Sequence, residues 1–379
     1  MNLELRKFVA PEIIFGVEAR KLIGQYASNL GTEKPLIVTG KIVRQQKWFI
    51  DIIQALEEVG IAYEIFDAVT INPKDHECHL GAKIYEASEC NIIIAVGGGS
   101  VIDCAKAIGI LLANGGHVTE YEGVDKIPFP IPPLICIPTT AGSSADVSQF
   151  SIITDTDKMY KMAFASKMIV PDISLIDPEV TLTCDFDLTV DVGLDALSHA
   201  IEAYVSNASS TITDLHALYA IEKIAEFLPL LAKNLDNLEH RAIIMQACLD
   251  AGLAFSNASL GLIHALAHPI GGRYDLVHGA LNGMLLEHVI AFNYESAKDR
   301  YDRIAQVIKE KSRLQSTGII DVVNEFIEQI RPNTGLASLG YNTDELEDLA
   351  QYVLKDPCIA TNPRQASIED VVILYEKIF

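Results

Sequence analysis

The feature that most limits the fold of this chain is a change in apolar period near residue 185. From residue 34 to about 140, short apolar runs alternate with amphipathic segments, the pattern of a parallel sheet flanked by helices. The runs are LIVT at 36–39, YEIF at 63–66, IIIAV at 92–96 and LICI at 134–137, bounded by Gly, Asp or Pro. Helical spacing falls around 44–59, 75–89 and 101–112, and SIITD and ISLID carry the strand pattern on to about 185. From Leu188 onward strand-like runs almost vanish, and 189–206, 211–234 and 239–257 carry apolar residues three and four apart. At 379 residues the chain exceeds what one hydrophobic core usually serves, so two domains are expected. The spacing predicts an α/β domain over 1–185 and an all-α domain over 186–379, joined by the short Pro178–Asp187 loop.

Composition narrows the partners. Hydrophobic residues make up 49% and charged residues 21%, which is the profile of a folded globular chain. A net charge of -22 argues against attraction to nucleic acid or an anionic membrane. The seven cysteines are scattered with no CxxC spacing, so reduced thiols in a cytoplasmic compartment are expected. The opening MNLELRKFVAPEIIFG places acidic Glu4 early and has no apolar leader, and no run of about 18 apolar residues occurs. No membrane association is expected.

The helical half carries a metal-ligating pattern. Asp195 and His199 are four apart in GLDALSHAIEAY, and His264 and His268 are four apart in GLIHALAHP, so each pair shares one helix face. His278 follows ten residues after His268, beyond the flexible Gly271-Gly272 pair. Three imidazoles and a carboxylate, Asp195, His199, His264 and His278, suit a divalent transition metal. His268 reads either as a further imidazole ligand or as a nearby proton relay, the latter favoured because four ligands already suffice and Pro269 follows it. Asp191 and Glu202, one turn either side of the first pair, are candidates to orient a ligand imidazole, or are ordinary surface carboxylates.

The α/β half carries a phosphate-binding pattern. Gly97, Gly98, Gly99 and Ser100 stand directly after a buried run and directly before a helix containing Asp103 and Lys106. Glycines admit a pyrophosphate close to the backbone, and the helix start favours its charge. A second loop, IPTTAGSSAD at 137–146, offers the hydroxyls of Thr139, Thr140, Ser143 and Ser144 around Gly142; an ST-turn capping a strand is its plainer reading. Together the two patterns describe a Rossmann-like nucleotide-binding domain followed by a helical metal-binding domain.

With both motifs in hand, the chain closely resembles the iron-dependent, or group III, alcohol dehydrogenase family over nearly its whole length. The likeness rests on GGGSVIDCAKAI at 97–108, PTTAG at 138–142, DPEVTLT at 177–183, GLDALSHAIEAYVS at 193–206, NASLGLIHALAHPIGG at 257–272, HGALN at 278–282 and the terminal NPRQASIEDVVILYEKIF. The resemblance implies Fe2+, or Zn2+ in its place, on Asp195, His199, His264 and His278, with His268 close to the nicotinamide. It implies NAD or NADP on Gly98, Gly99, Ser100, Asp103, Thr139, Thr140 and Ser143, with Lys161 at the ribose and Cys358 in the pocket near the reacting carbon. The implied reaction is reversible hydride transfer between a small alcohol and its aldehyde or ketone, in a homodimer or larger homo-oligomer. A polyol dehydrogenase, a hydroxyacid-oxoacid transhydrogenase and a slow sensor keeping both sites are the alternatives. Phe150, Phe255 and Leu260 are the candidate pocket side chains.

Two positions depart from that pattern. Gly40, followed by Lys41 and Arg44, stands where many NAD-dependent members carry an aspartate that accepts from the ribose 2′-hydroxyl, so its absence favours tolerance of NADP. Ser143-Ser144-Ala145-Asp146 stands where Thr-Gly-Ser-Glu is usual, placing Ser144 on a glycine position.

Overall fold

The computed structural model describes residues 7–331 and 343–378; the first six residues, Glu4 among them, lie outside. Pro11–Asp185 forms one compact unit. The described part of Phe186–Phe379 forms the other, together with residues 7–10. Those four residues go with the helices because Asn257 Oδ1 accepts from the Val9 N–H (2.7 Å) and its Nδ2 donates to the Val9 carbonyl (3.1 Å), while Phe8 stacks on His216.

The first unit is built on nine strands: β1 Glu12–Phe15, β2 Pro35–Thr39, β3 Glu64–Phe66, β4 Ile92–Gly97, β5 Gly123–Val124, β6 Leu134–Pro138, β7 Phe150–Asp155, β8 Tyr160–Ala165 and β9 Ile173–Ile176. Six of them form a parallel sheet in the order β1-β9-β6-β4-β2-β3. Every residue of β2, β4 and β6 is buried, because helices cover both faces and leave no solvent side to alternate with. On one face Ile37, Ile94, Val96, Ile135 and Leu175 pack with Ile23, Ile52 and Leu56. From β2 the chain moves to β3 on one side, and from β4 it moves to β6 on the other. The carboxyl ends of β2 and β4, paired at Thr39 and Val96, therefore flank the point where a doubly wound sheet opens a ligand crevice.

Four elements differ from the reading of the sequence. SIITD is β7 and belongs to a separate sheet, β5-β8-β7, where it runs antiparallel to β8, an alternating segment the apolar runs had not marked. EIIF, also unmarked, is the edge strand β1, parallel to β9. The helix expected over 44–59 is two pieces, Lys41–Arg44 and Phe49–Glu58. Val43 and Trp48 both pack on the core. Five residues apart they would point about 140° from each other on one helix, so the chain turns between them.

The second unit is helical, and no strand follows Ile176 among the described residues. Phe186–Val205, Thr211–Lys233 and Leu238–Ala258 pack together, and Leu262–Tyr274 and His278–Asn293 follow. Gly279 lets the last of these approach the first: a Cβ there would fall 2.2 Å from the Asp191 carbonyl oxygen and 3.3 Å from Asp195 Cβ. Among the described residues no single helix is long and apolar enough to cross a membrane.

Candidate functional site

Asp195 and His199 come from Phe186–Val205, His264 and His268 from Leu262–Tyr274, and His278 from the first turn of His278–Asn293. Asp195 Oδ1 lies 3.8 Å from His199 Nε2, 3.6 Å from His264 Nε2 and 3.9 Å from His278 Nε2. Donors around a tetrahedral cation with ~2.1 Å bonds stand ~3.4 Å apart; the donor atoms of Asp195, His199 and His264 lie within 4.8 Å of one another, and His278 must move in further to complete the four. Burial works against a charged Asp195, but the imidazoles of His199, His278 and His264 hold its carboxyl well below the ordinary range. Burial would lower the His264 imidazolium; hydrogen bonds to Asp195 and Glu202 outweigh it and push it up to about 9. A site that draws this much positive charge toward its carboxylates is chemically suited to a cation.

Surrounding groups fix the donors. Glu202, fully enclosed, accepts the His264 Nδ1–H at 2.6 Å through one oxygen and the Ile263 backbone N–H at 2.6 Å through the other. This leaves His264 Nε2 pointing to the site. The His199 ring is stacked between His264 (centroids 4.5 Å) and Phe255 (4.3 Å), which gives Phe255 a place against a donor. Asn282 is buried one turn beyond His278; its Nδ2 donates to Asp195 Oδ1 at 2.7 Å and lies 3.1 and 3.2 Å from His264 and His278 Nε2. Asn282 Oδ1 is buried with no hydrogen-bond partner, a spare oxygen beside the donor set.

His268 stands apart from the four. Its ring stacks on His278 with centroids 5.4 Å apart, and its Nδ1–H is donated to Asp356 Oδ2 at 2.6 Å. The other oxygen of Asp356 accepts from the Cys358 N–H (2.8 Å). Burial opposes a charged Asp356, and His268 holds its carboxyl below the ordinary range. Burial pushes the Cys358 thiol well up, so it is an enclosed neutral group beside this pair. His268, Asp356 and Cys358 bring donor atoms within 4.8 Å of one another. Asp191 pairs with Arg331, which also holds Asp187. Of the remaining pocket candidates, Leu260 offers its carbonyl to Thr361 Oγ1 (2.7 Å) and Phe150 its carbonyl to Lys106 Nζ (2.7 Å).

The glycine run caps β4 and opens the helix Gly99–Asn114, which has no side-chain cap on its first turn. The 139–146 loop leaves the neighbouring β6 and lies against the run. Thr139 N–H donates to Gly97 O (3.1 Å), a Cβ on Gly98 would stand 3.0 Å from Thr140 Oγ1, and one on Gly99 would stand 2.6 Å from Ser143 Oγ. A side chain at 99 would force the second loop away and one at 98 would press on Thr140, and the uncapped helix start suits a phosphate. Ser144 has φ 50°, the left-handed conformation natural to glycine, at a cost of about 1–2 kcal/mol for an L-residue. Asp103 lies on the first turns of that helix, its carboxyl raised to about 7 by burial against the pull of Lys106, the Ile152 N–H and Lys161, the last on β8. Lys106, which the sequence places on the same helix, is fully buried; its Nζ donates to the carbonyls of Ser148 (2.8 Å) and Phe150 (2.7 Å) and ties the chain after the second loop to the glycine helix. Gly40 follows β2 directly, on the strand next to the one that carries the run.

Two family models match in succession, iron-containing alcohol dehydrogenase over residues 10–178 and the C-terminal part of the Fe-containing alcohol dehydrogenase family over 189–379. The NAD-dependent methanol dehydrogenase of Bacillus methanolicus is 34% identical over 369 residues, covering 96% of this chain and 97% of its own. The 1,3-propanediol dehydrogenase of Klebsiella pneumoniae is 33% identical over 387 residues, the whole of both chains. Among solved structures, a 1,3-propanediol oxidoreductase superposes with a TM-score of 0.93 at 33% identity over 99% of this chain and 100% of that one. An alcohol dehydrogenase from Oenococcus oeni gives 0.93 at 31% over the same shares. Matched by these models from residue 10 to residue 379 but for a ten-residue gap, the chain belongs to the iron-containing alcohol dehydrogenase family.

Proposed function

We propose that the protein oxidises a small primary alcohol or diol to the aldehyde, reversibly, with NAD as hydride acceptor and one Fe2+ per chain. The observation that carries this is the donor set of buried Asp195, His199 and His264 and partly exposed His278, with a separate imidazole, His268, beside it. Carboxylate and imidazole donors accept Fe2+ readily, and Zn2+ competes for the same set. When bound, Fe2+ supplies the Lewis acidity that polarises the alcohol oxygen and NAD+ the acceptor for the hydride.

The chain's own residues do the rest. Glu202 holds His264 in the tautomer that presents Nε2. Asp356 takes the Nδ1–H of His268 and leaves Nε2 to accept the hydroxyl proton as the hydride departs from carbon. Gly97, Gly98, Gly99 and Ser100 hold the pyrophosphate at the helix start, with Thr139, Thr140 and Ser143 against them and Asp103 and Lys161 alongside. The seven buried free thiols support a reducing, cytoplasmic setting. Exposed Ile212, Leu215 and Tyr219, three and four apart on one helix, support a homo-oligomer. The test is anaerobic purification followed by NAD+ reduction with methanol, longer primary alcohols, diols and hydroxy acids. Turnover with alcohols or diols is expected; turnover confined to hydroxy acids with no added nicotinamide would overturn the reading.

A further inference from the structure

We propose that the ion pair between Arg44 and Asp67 sets the preference of the nucleotide site for NAD over NADP, Asp67 supplying from the end of β3 the carboxylate that Gly40 cannot supply from β2. The proposal rests on the nucleotide reading above and adds the residues that discriminate between the two nucleotides. It starts from the strand register. Val38 of β2 lies opposite Phe66 of β3, and just beyond the paired strands the backbones of Gly40 and Ala68 meet in an antiparallel bridge. Asp67 therefore stands close to Gly40, at the carboxyl edge of the sheet and on the far side of β2 from β4. A dinucleotide whose pyrophosphate sits at the end of β4 extends its adenosine half along this edge.

The side chains at that edge are few and charged. Gly40 contributes none, Lys41 is exposed, and the Arg44 guanidinium is hydrogen-bonded to Asp67 Oδ2. The Arg44 and Asp67 side chains are 47% and 31% exposed, so both are open to a ligand. An adenosine 2′-hydroxyl can donate to a carboxylate here. A 2′-phosphate meets an arginine already neutralised by Asp67, must displace that carboxylate to gain a bidentate contact, and then stays next to its negative charge. Asp67 thus both repels the phosphate and occupies the cation that would bind it.

The experiment measures NAD+ and NADP+ binding by calorimetry to the wild type, Asp67→Asn, Arg44→Ala, Asp67→Asn/Arg44→Ala and Asp67→Asn/Gly40→Asp. Wild type is expected to favour NAD+. Asp67→Asn, which keeps the shape and removes the charge, is expected to raise NADP+ affinity about tenfold while NAD+ affinity moves less than about threefold. Adding Arg44→Ala to that variant should cancel the gain, and adding Gly40→Asp should restore discrimination. The backbone admits an aspartate at 40: φ is -107°, and the nearest atom to a new Cβ is Val69 O at 3.3 Å. An NADP+/NAD+ ratio unchanged within about twofold in Asp67→Asn, with NAD+ still bound, would overturn the proposal and leave the alcohol dehydrogenase reading standing. A wild type that prefers NADP+ would overturn it as well. A wild type that binds neither nucleotide would overturn both.

Discussion

Single residues decide whether the donors point at one place. Glu202 is the clearest: replacing it by Gln keeps the volume but gives His264 Nδ1–H a weaker, ambiguous partner. Glu202→Gln is expected to weaken Fe2+ binding about 10- to 100-fold in equilibrium dialysis, and excess iron should recover much of the activity. Asp356→Asn is expected to behave oppositely, with full iron content and kcat down about 100-fold, because it frees the His268 tautomer without touching a donor. Iron loss in Asp356→Asn would place that carboxylate in the metal site. Asp195, His199 and His264 were marked by i, i+4 pairs, 195 with 199 and 264 with 268, which need no knowledge of packing, and His278 by the glycine turn that precedes it. Their supporting residues were less so. Glu202 was one of two equal candidates, and only packing of two helices separates its contact with His264 from that of Asp191 with Arg331. Asp356 lies 88 residues from His268, a separation that no local period reveals.

At the scale of elements, the nucleotide site depends on two loops fitting against each other. Gly99→Ala puts a methyl 2.6 Å from Ser143 Oγ and 2.7 Å from Ser143 Cβ, so the loops must separate. The variant is expected to lose at least about tenfold in NAD+ affinity by calorimetry, and Ser143→Gly added to it should recover part of that loss by removing both clashing atoms. Equal affinity in the single variant would detach the second loop from the nucleotide site. The core strands of the sheet could be read from sequence because burial on both faces writes continuous apolar runs. Edge and satellite strands could not. β1 is partly exposed, with Glu12 and Phe15 outward, and β8 carries Lys161 and Tyr160 inside a segment that its partners β7 and β5 make a strand. The break between Arg44 and Phe49 was hidden for a related reason: helical spacing continues through it, and tertiary contacts of Val43 and Trp48 decide the turn.

At the scale of the whole molecule, the change of apolar period divides the chemistry as well as the fold. The sheet unit carries the glycine run and its companion loop, and the helical unit carries the carboxylate and imidazoles. That division was legible because strand and helix periods differ over long stretches; the attachment of residues 7–10 to the helices was not, since it rests on contacts with Asn257 and His216, more than 200 residues away. The claim that joins the two units is that turnover requires one iron per chain in the Asp195 set. The most direct measurement is an anaerobic titration of metal-free protein with Fe2+, following NAD+ reduction by an excess of 1,3-propanediol or another active alcohol. Activity is expected to rise in proportion to added iron and to break at one Fe2+ per chain, and His264→Ala should show no such rise. Full turnover before any metal is added, or an unchanged titration in His264→Ala, would contradict it.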